Sequence, residues 1–152
     1  GLITAVNSEG MWSGGIDRVI QSVAGRLFHD QLARKSLIDG EAYFIDGNIT
    51  NTGSFRNVVF VVDDLELKLH QIILAGLKKA EANQLSSITL PTIRMGLMLG
   101  LVEKTEDEAL EEIARAVRLF KSSNPSFVKT ITFVVYRNTS IETRLKKLLS
   151  QD

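Results

Sequence analysis

The feature that most constrains this chain is an alternation. Short apolar, β-branched runs take turns with longer segments whose apolar residues recur at three and four residue steps. LITAV at 2–6, EAYFID at 41–46, NVVFVV at 57–62, SSITLP at 86–91 and KTITFVVY at 129–136 read as strands. Between the first two, Ile16, Val19, Ile20, Val23, Leu27 and Leu32 fall on one helical face. Leu69, Ile72, Ile73, Gly76, Leu77 and Ala80 do the same within 65–82, where the small residue at 76 allows close packing. Parallel strands need crossover connections, and helices supply them, so the pattern predicts a mainly parallel sheet covered on both faces. The fold class is α/β.

Helix limits are written in the sequence as well. In TEDE at 105–108, a threonine followed three residues later by glutamate forms a capping box for a helix running to about Lys121. SSNPS then interrupts the chain, and Thr139 with Glu142 offers a second box for a terminal helix. EAYFID and NVVFVV, separated by a Gly/Asn/Thr/Ser loop, are natural neighbours in the sheet. The length of 152 residues suits one domain spanning 1–152.

Charge and composition narrow the function. Eighteen basic and eighteen acidic residues cancel, so no overall field draws the chain to nucleic acid or to an anionic membrane. Any bound anion must be held by local geometry. The absence of cysteine excludes disulfides, thiolate metal ligands and thiol catalysis, and is consistent with a cytoplasmic protein. His29 and His70 sit in helical patterns without ligand spacing, so no metal is expected. No apolar run has the roughly 18 residues of a membrane helix.

In such sheets ligands gather outside the carboxyl ends of the strands. Two loops there are unusual: residues 7–15, with Gly10, Gly14, Gly15 and the chain's one tryptophan, and residues 91–101, apolar yet carrying Gly96 and Gly100. A helix start presents unpaired N–H groups and partial positive charge, and glycines before it let an anion approach closely. Glycines in that place also simply make turns. Neither a Gly-Lys-Ser/Thr loop nor a G-x-G-x-x-G with a ribose-binding acid occurs.

The run from Ile3 to Gly25 resembles the macro-domain signature, roughly V-N-A-A-N followed by glycines and G-G-V-D-G-A-I-H-R-A-A-G. Asn7 falls on the second asparagine, Gly14 and Gly15 on the last glycines, Ile16 on the valine, Asp17 on the aspartate, and Ala24 with Gly25 on the closing pair. DGEAYFIDG is similar to the family's following G-E-A strand, and ITLPTIRMGLMLG to its I-A-F-P-A-I-S-T-G-V-F-G. The resemblance implies a three-layer α/β/α domain that binds ADP-ribose or a derivative and that in many members removes ADP-ribose from proteins. No cofactor is implied. It assigns ligand contacts to Ile3, Asn7, Ser13, Gly14, Gly15, Ile16, Asp17, Met95, Gly96, Leu97, Met98 and Tyr136, and Arg94 beside the second loop is a further candidate that departs from the family pattern. Ser13 to Asp17 would hold one phosphate and Met95 to Met98 the other, while Tyr136 would lie against the adenine. Asn7 and Asp17 would be the catalytic pair, positioning the distal ribose and a water. For Asp17 a favourable place near a helix dipole is the plainer account.

Departures from the pattern are equally specific. Thr4, Gln21, Trp12 and Ser13 replace an asparagine, a histidine and two glycines, and the second loop is one residue longer than usual and lacks its phenylalanine. Arg94 stands where the family has a small hydroxyl residue; it either pairs with a phosphate or points to solvent, and solvent is the expectation. Trp12 is either a lid over the ligand or packed on the surface. The family's preceding strand and the Gly-Asp that reads the adenine amino group have no counterpart before Leu2. Either the sequence starts inside the domain, or adenine recognition is expected to be weaker or made differently, with one sheet edge in need of cover by a partner. Three functions follow: an ADP-ribose binder acting on ADP-ribosylated protein, a scaffold without catalysis, and a phosphatase of ADP-ribose 1″-phosphate.

Overall fold

A computed structural model describes residues 1–9, 19–20, 22, 24, 26–47, 55–95 and 98–151. The strands are β1 (Leu2–Val6), β2 (Ala42–Asp46), β3 (Asn57–Val62), β4 (Ser87–Pro91) and β5 (Thr130–Val134). The helices are α1 (Leu27–Leu32), α2 (Leu69–Ala82), α3 (Glu106–Ser122) and α4 (Thr139–Leu149). Residues 19, 20, 22 and 24 are helical too. Among the described residues no helix is long and apolar enough to cross a membrane.

The five strands form one sheet in the order β2-β3-β1-β4-β5, parallel except for β2 against β3. Residues Leu2 to Val6 pair in register with Val58 to Val62, which puts the two most apolar runs at the centre. A strand buried on both faces needs no alternation, and Val58 to Val62 are all buried. At the β5 edge alternation returns. Ile131 and Phe133 of β5 pack on the core, whereas Thr130, Thr132 and Val134 face outward and are exposed. The expected cover on both faces is therefore incomplete at β5 among the described residues. On that side the buried residues Ile20, Ala24, Phe28 and Leu32 gather over β1, β2 and β3 only.

The larger core lies on the opposite face, where α2, α3 and α4 bury Leu69, Ile73, Leu110, Ile113, Phe120 and Leu145 against Ile3, Val59, Val61 and Leu90. Gly76 is a close contact between α2 and the sheet. A Cβ there would sit 2.8 Å from Ile3 Cγ2 and 3.0 Å from Val61 Cγ2.

Four details differ from the sequence reading. Val19, expected on the buried helical face, is half exposed. The helix expected from Leu65 begins at Leu69, because Leu65 has φ 62° and its N–H donates to the Asp63 carboxylate, a local turn that competes with helix. The terminal helix is capped by Asn138, whose side-chain oxygen accepts from Ile141 N, and Thr139 is already inside it. At α3, Thr105 caps as expected by accepting from Glu108 N at 3.1 Å, but the Glu108 carboxylate reaches back to Lys104 N rather than to the cap itself.

Candidate functional site

Because β1, β3, β4 and β5 run parallel, their carboxyl ends open on one edge of the sheet. Segments 7–9, 63–68, 92–95 and 135–138 leave the strands there. Antiparallel β2 brings its start to the same edge, where Val62 N donates to Glu41 O and Gly40 N to Val62 O.

Asn7 follows directly on β1. Its side-chain oxygen accepts from Glu9 N at 3.1 Å, a short local turn that fixes the amide group at the strand exit. Ser8 N donates to the Asp64 carboxylate at 2.8 Å, and Asp64 N to the Asp39 carboxylate at 3.1 Å. Asp63 N donates to Val6 O at 2.7 Å, continuing the β1–β3 ladder by one residue. The exits of β1 and β3 are thus tied together.

Arg94, three residues beyond β4, corrects both roles open to it in the sequence. It is only 6% exposed and is turned inward. Its Nε and Nη2 donate to Asp63 Oδ2 and Oδ1 at 3.0 and 2.6 Å, Nη1 to Glu103 Oε1 at 2.8 Å, and Nη2 also to Leu67 O at 2.7 Å. A guanidinium has five N–H groups, and a bidentate fork suits a carboxylate, so Asp63 and Glu103 engage it in place of either a phosphate or the expected solvent. Burial works against the charge, but the bonds and charges of Asp63 and Glu103 outweigh it and hold the pKa above the ordinary arginine value. Glu103 Oε2 accepts from Leu69 N at 3.0 Å, satisfying one of the open amides at the start of α2.

The neighbouring amide, His70 N, donates to Glu112 Oε2 at 3.0 Å, and the His70 Nδ1 lies 2.5 Å from the same oxygen. Burial raises the Glu112 carboxyl, yet hydrogen bonds from His70 and the charges of His70 and Lys68 hold it below the ordinary glutamate value. His70 is thus bound to a carboxylate that no sequence spacing announced. Among the described residues no group of three or more His, Asp or Glu side chains is placed to hold a metal ion.

The remaining predicted residues separate. Met95 is half buried against the larger core, and its N–H makes a long 3.4 Å bond to Thr92 O. Met98 is half buried, and its carbonyl accepts from Leu101 N at 3.4 Å. Tyr136 lies beyond β5, 78% exposed, with the Arg137 guanidinium 5.1 Å from its ring centroid. Ile3 does not join them. Its side chain is fully buried under α2, near the start of β1 rather than at its carboxyl end, and is committed to the core. Ser13, Gly14, Gly15, Ile16, Asp17, Gly96 and Leu97, and with them Trp12, lie outside the described residues. A shallow apolar groove of about 260 Å³ among α3, β5 and α4 lies beside the start of β5, away from this edge.

Sequence reasoning missed Asp63, Asp64, Glu103 and Glu112. Two acids following the fully apolar run NVVFVV were the available signal, since charge at the exit of a buried strand demands a partner.

With this geometry in hand, the fold is recognisable: it is that of the macrodomains. A Trypanosoma brucei macrodomain matches with a TM-score of 0.78 at 20% identity, over 97% of this chain and 60% of that one. A Trypanosoma brucei macrodomain structure in complex with ADP-ribose matches with a TM-score of 0.75 at 20% identity, again over 97% and 60%. An Oceanobacillus iheyensis macrodomain variant matches with a TM-score of 0.71 at 17% identity, over 97% of this chain and 84% of that one. The chain therefore spans about three fifths of the length of the trypanosomal chains it matches. Comparison of the sequence with protein-family models gives no match, and comparison with curated proteins gives none either.

Proposed function

We propose that residues 1–152 form one domain that binds ADP-ribose or a related nucleotide across the carboxyl ends of β1 and β4. The observation that carries this reading is the likeness of nearly the whole chain to macrodomains, one of them in complex with ADP-ribose. In this reading the backbone from Ser13 to Asp17 holds one phosphate and that from Met95 to Met98 the other. The Asn7 amide bonds the distal ribose, and the Tyr136 ring supports the adenine. With Arg94 engaged by Asp63 and Glu103, the phosphates are held mainly by neutral N–H groups and by a helix start.

Hydrolysis is the finer part of the proposal. A water attacks the anomeric carbon of the distal ribose as the bond from that carbon to the modified side chain breaks. The hydroxyl stays on the sugar, and the water's other proton goes to the departing side chain or to solvent. Asn7 and Asp17 position the reactants, and the donor loops stabilise developing charge. An ADP-ribosylated protein, met in the cytoplasm, is the substrate this chemistry suits. The scaffold reading draws on the inward Arg94 and on the Asn7 oxygen engaged with Glu9 N.

Titration calorimetry with ADP-ribose decides between them. Binding with a Kd on the order of micromolar, about −8 kcal/mol, is expected, with at least a tenfold loss on Asn7→Ala. Absence of heat at millimolar ligand overturns the nucleotide reading and leaves the scaffold. Release of ADP-ribose from a modified protein, or of phosphate from ADP-ribose 1″-phosphate, separates the two hydrolytic activities.

A further inference from the structure

The buried cluster around Arg94 does more than fill space. Asp63 and Glu103 are 8% and 3% exposed, so one guanidinium shares the interior with two carboxylates. Two buried acids against one base are a poor way to gain stability, since apolar side chains of similar size do as well. What such a cluster supplies is geometry. A bidentate pair fixes the plane and direction of the guanidinium, and with it the backbone that carries it.

That backbone is unusual. Arg94 has φ 64°, in the left-handed region that a residue with a Cβ avoids. It lies within a turn just beyond β4, where Met95 N donates to Thr92 O, with the Arg94 side chain buried and Met95 half buried against the larger core. Its anchors belong to the other strand exits. Asp63 is bonded through its own N–H to the last residue of β1, and its neighbour Asp64 accepts from Ser8 N, next to Asn7. Glu103 is bonded to the first turn of α2. A single side chain therefore connects the exit of β4 to that of β3, and through it to Asn7.

We propose that Arg94 is a positioning residue for the nucleotide site: held by Asp63 and Glu103, it sets where Met95 and Met98 lie relative to Asn7. This rests on the nucleotide reading above for its consequence, but not for its geometry. The turn after β4 is arranged before any ligand arrives, and affinity gains because that ordering is not left to the binding step. The guanidinium itself does not touch the ligand.

The test uses the chain's three methionines, Met11, Met95 and Met98, as reporters. Protein labelled with 13C at the methionine methyls is compared free and with ADP-ribose, as wild type, Arg94→Gln and Arg94→Lys. Glu81→Gln is the control. The Glu81 carboxylate accepts from Ser126, Phe127 and Val128 N at the other end of the sheet, so this variant weakens the fold without touching the turn. In free Arg94→Gln the Met95 and Met98 signals shift or broaden, and ADP-ribose affinity falls about tenfold or more, well below its unfolding temperature. Lysine keeps the charge but cannot bridge both carboxylates, and falls between. Glu81→Gln leaves affinity and both signals unchanged. Coincident Met95 and Met98 signals in wild type and Arg94→Gln overturn the proposal, as does equal loss of affinity in Glu81→Gln. If Arg94→Gln fails to fold, Arg94→Lys and Glu103→Gln carry the same comparison. Should wild type show no response to ADP-ribose, the nucleotide reading fails, and the free-protein signals still decide what Arg94 does.

Discussion

Glu103→Gln is the sharpest probe of the buried cluster, because it changes one atom type and almost no volume. The carboxylate has two jobs: Oε1 accepts from Arg94 at 2.8 Å and Oε2 from Leu69 N at 3.0 Å. A glutamine has one acceptor oxygen, so whichever donor it serves, its NH2 group confronts the other. Losing a hydrogen bond to a charged group costs about 1.5–3 kcal/mol, and stranding a buried donor costs about 1–3 kcal/mol more. Two facts pull the sum toward its lower end: Asp63 still pairs with Arg94, and one buried charge is removed. The expected loss is about 3 kcal/mol, a large share of the roughly 5–15 kcal/mol that holds a domain folded. For a chain of this size that lowers the unfolding temperature by about 6–12 °C. Thermal melts by circular dichroism, with urea titrations for the free energy, supply the measurement. Glu106→Gln is the comparison, since Glu106 meets Arg144 at the surface, where such a pair contributes about 0–1 kcal/mol. Equal melting temperatures for the two variants refute the claim that Glu103 satisfies two buried donors.

Two further outcomes follow from particular contacts. The Glu112 carboxyl is held below its ordinary value in the folded chain, so its contribution is present above the unfolded value and is lost as pH falls through the folded one. The stability gap between wild type and Glu112→Gln is accordingly expected to shrink as urea midpoints are followed from about pH 6 down to about pH 3, and a gap that widens refutes the assignment. Gly76→Ala gains roughly 1 kcal/mol of helix propensity but forces a methyl against Ile3 and Val61, an overpacking that costs about 1–3 kcal/mol. A net loss of about 1 kcal/mol is expected, read as a melting point lower by about 2–4 °C, and a higher melting point contradicts the close approach.

Each part of the fold had its own visibility in the sequence. The alternation of LITAV, NVVFVV and SSITLP with helical periodicities determined an α/β chain with a mainly parallel sheet, because burial period is a local property of the backbone. The α3 cap at Thr105 was legible for the same reason, since capping acts within four residues. Asn138 was passed over for Thr139 because both can cap, and only the path of the chain out of β5 chooses between them.

Arg94 marks the limit. By itself it read as a surface or phosphate-binding side chain, for nothing near it in sequence carries a matching acid at helical or strand spacing. Asp63 and Glu103 lie 31 and 9 residues away, and the sheet order β3-β1-β4 brings the exits of β3 and β4 to one edge, where all three meet. The sequence determined which residues prefer strand, helix and turn. Tertiary structure alone decided which charges are partnered in the interior, because electrostatic pairing depends on distance through space and ignores distance along the chain.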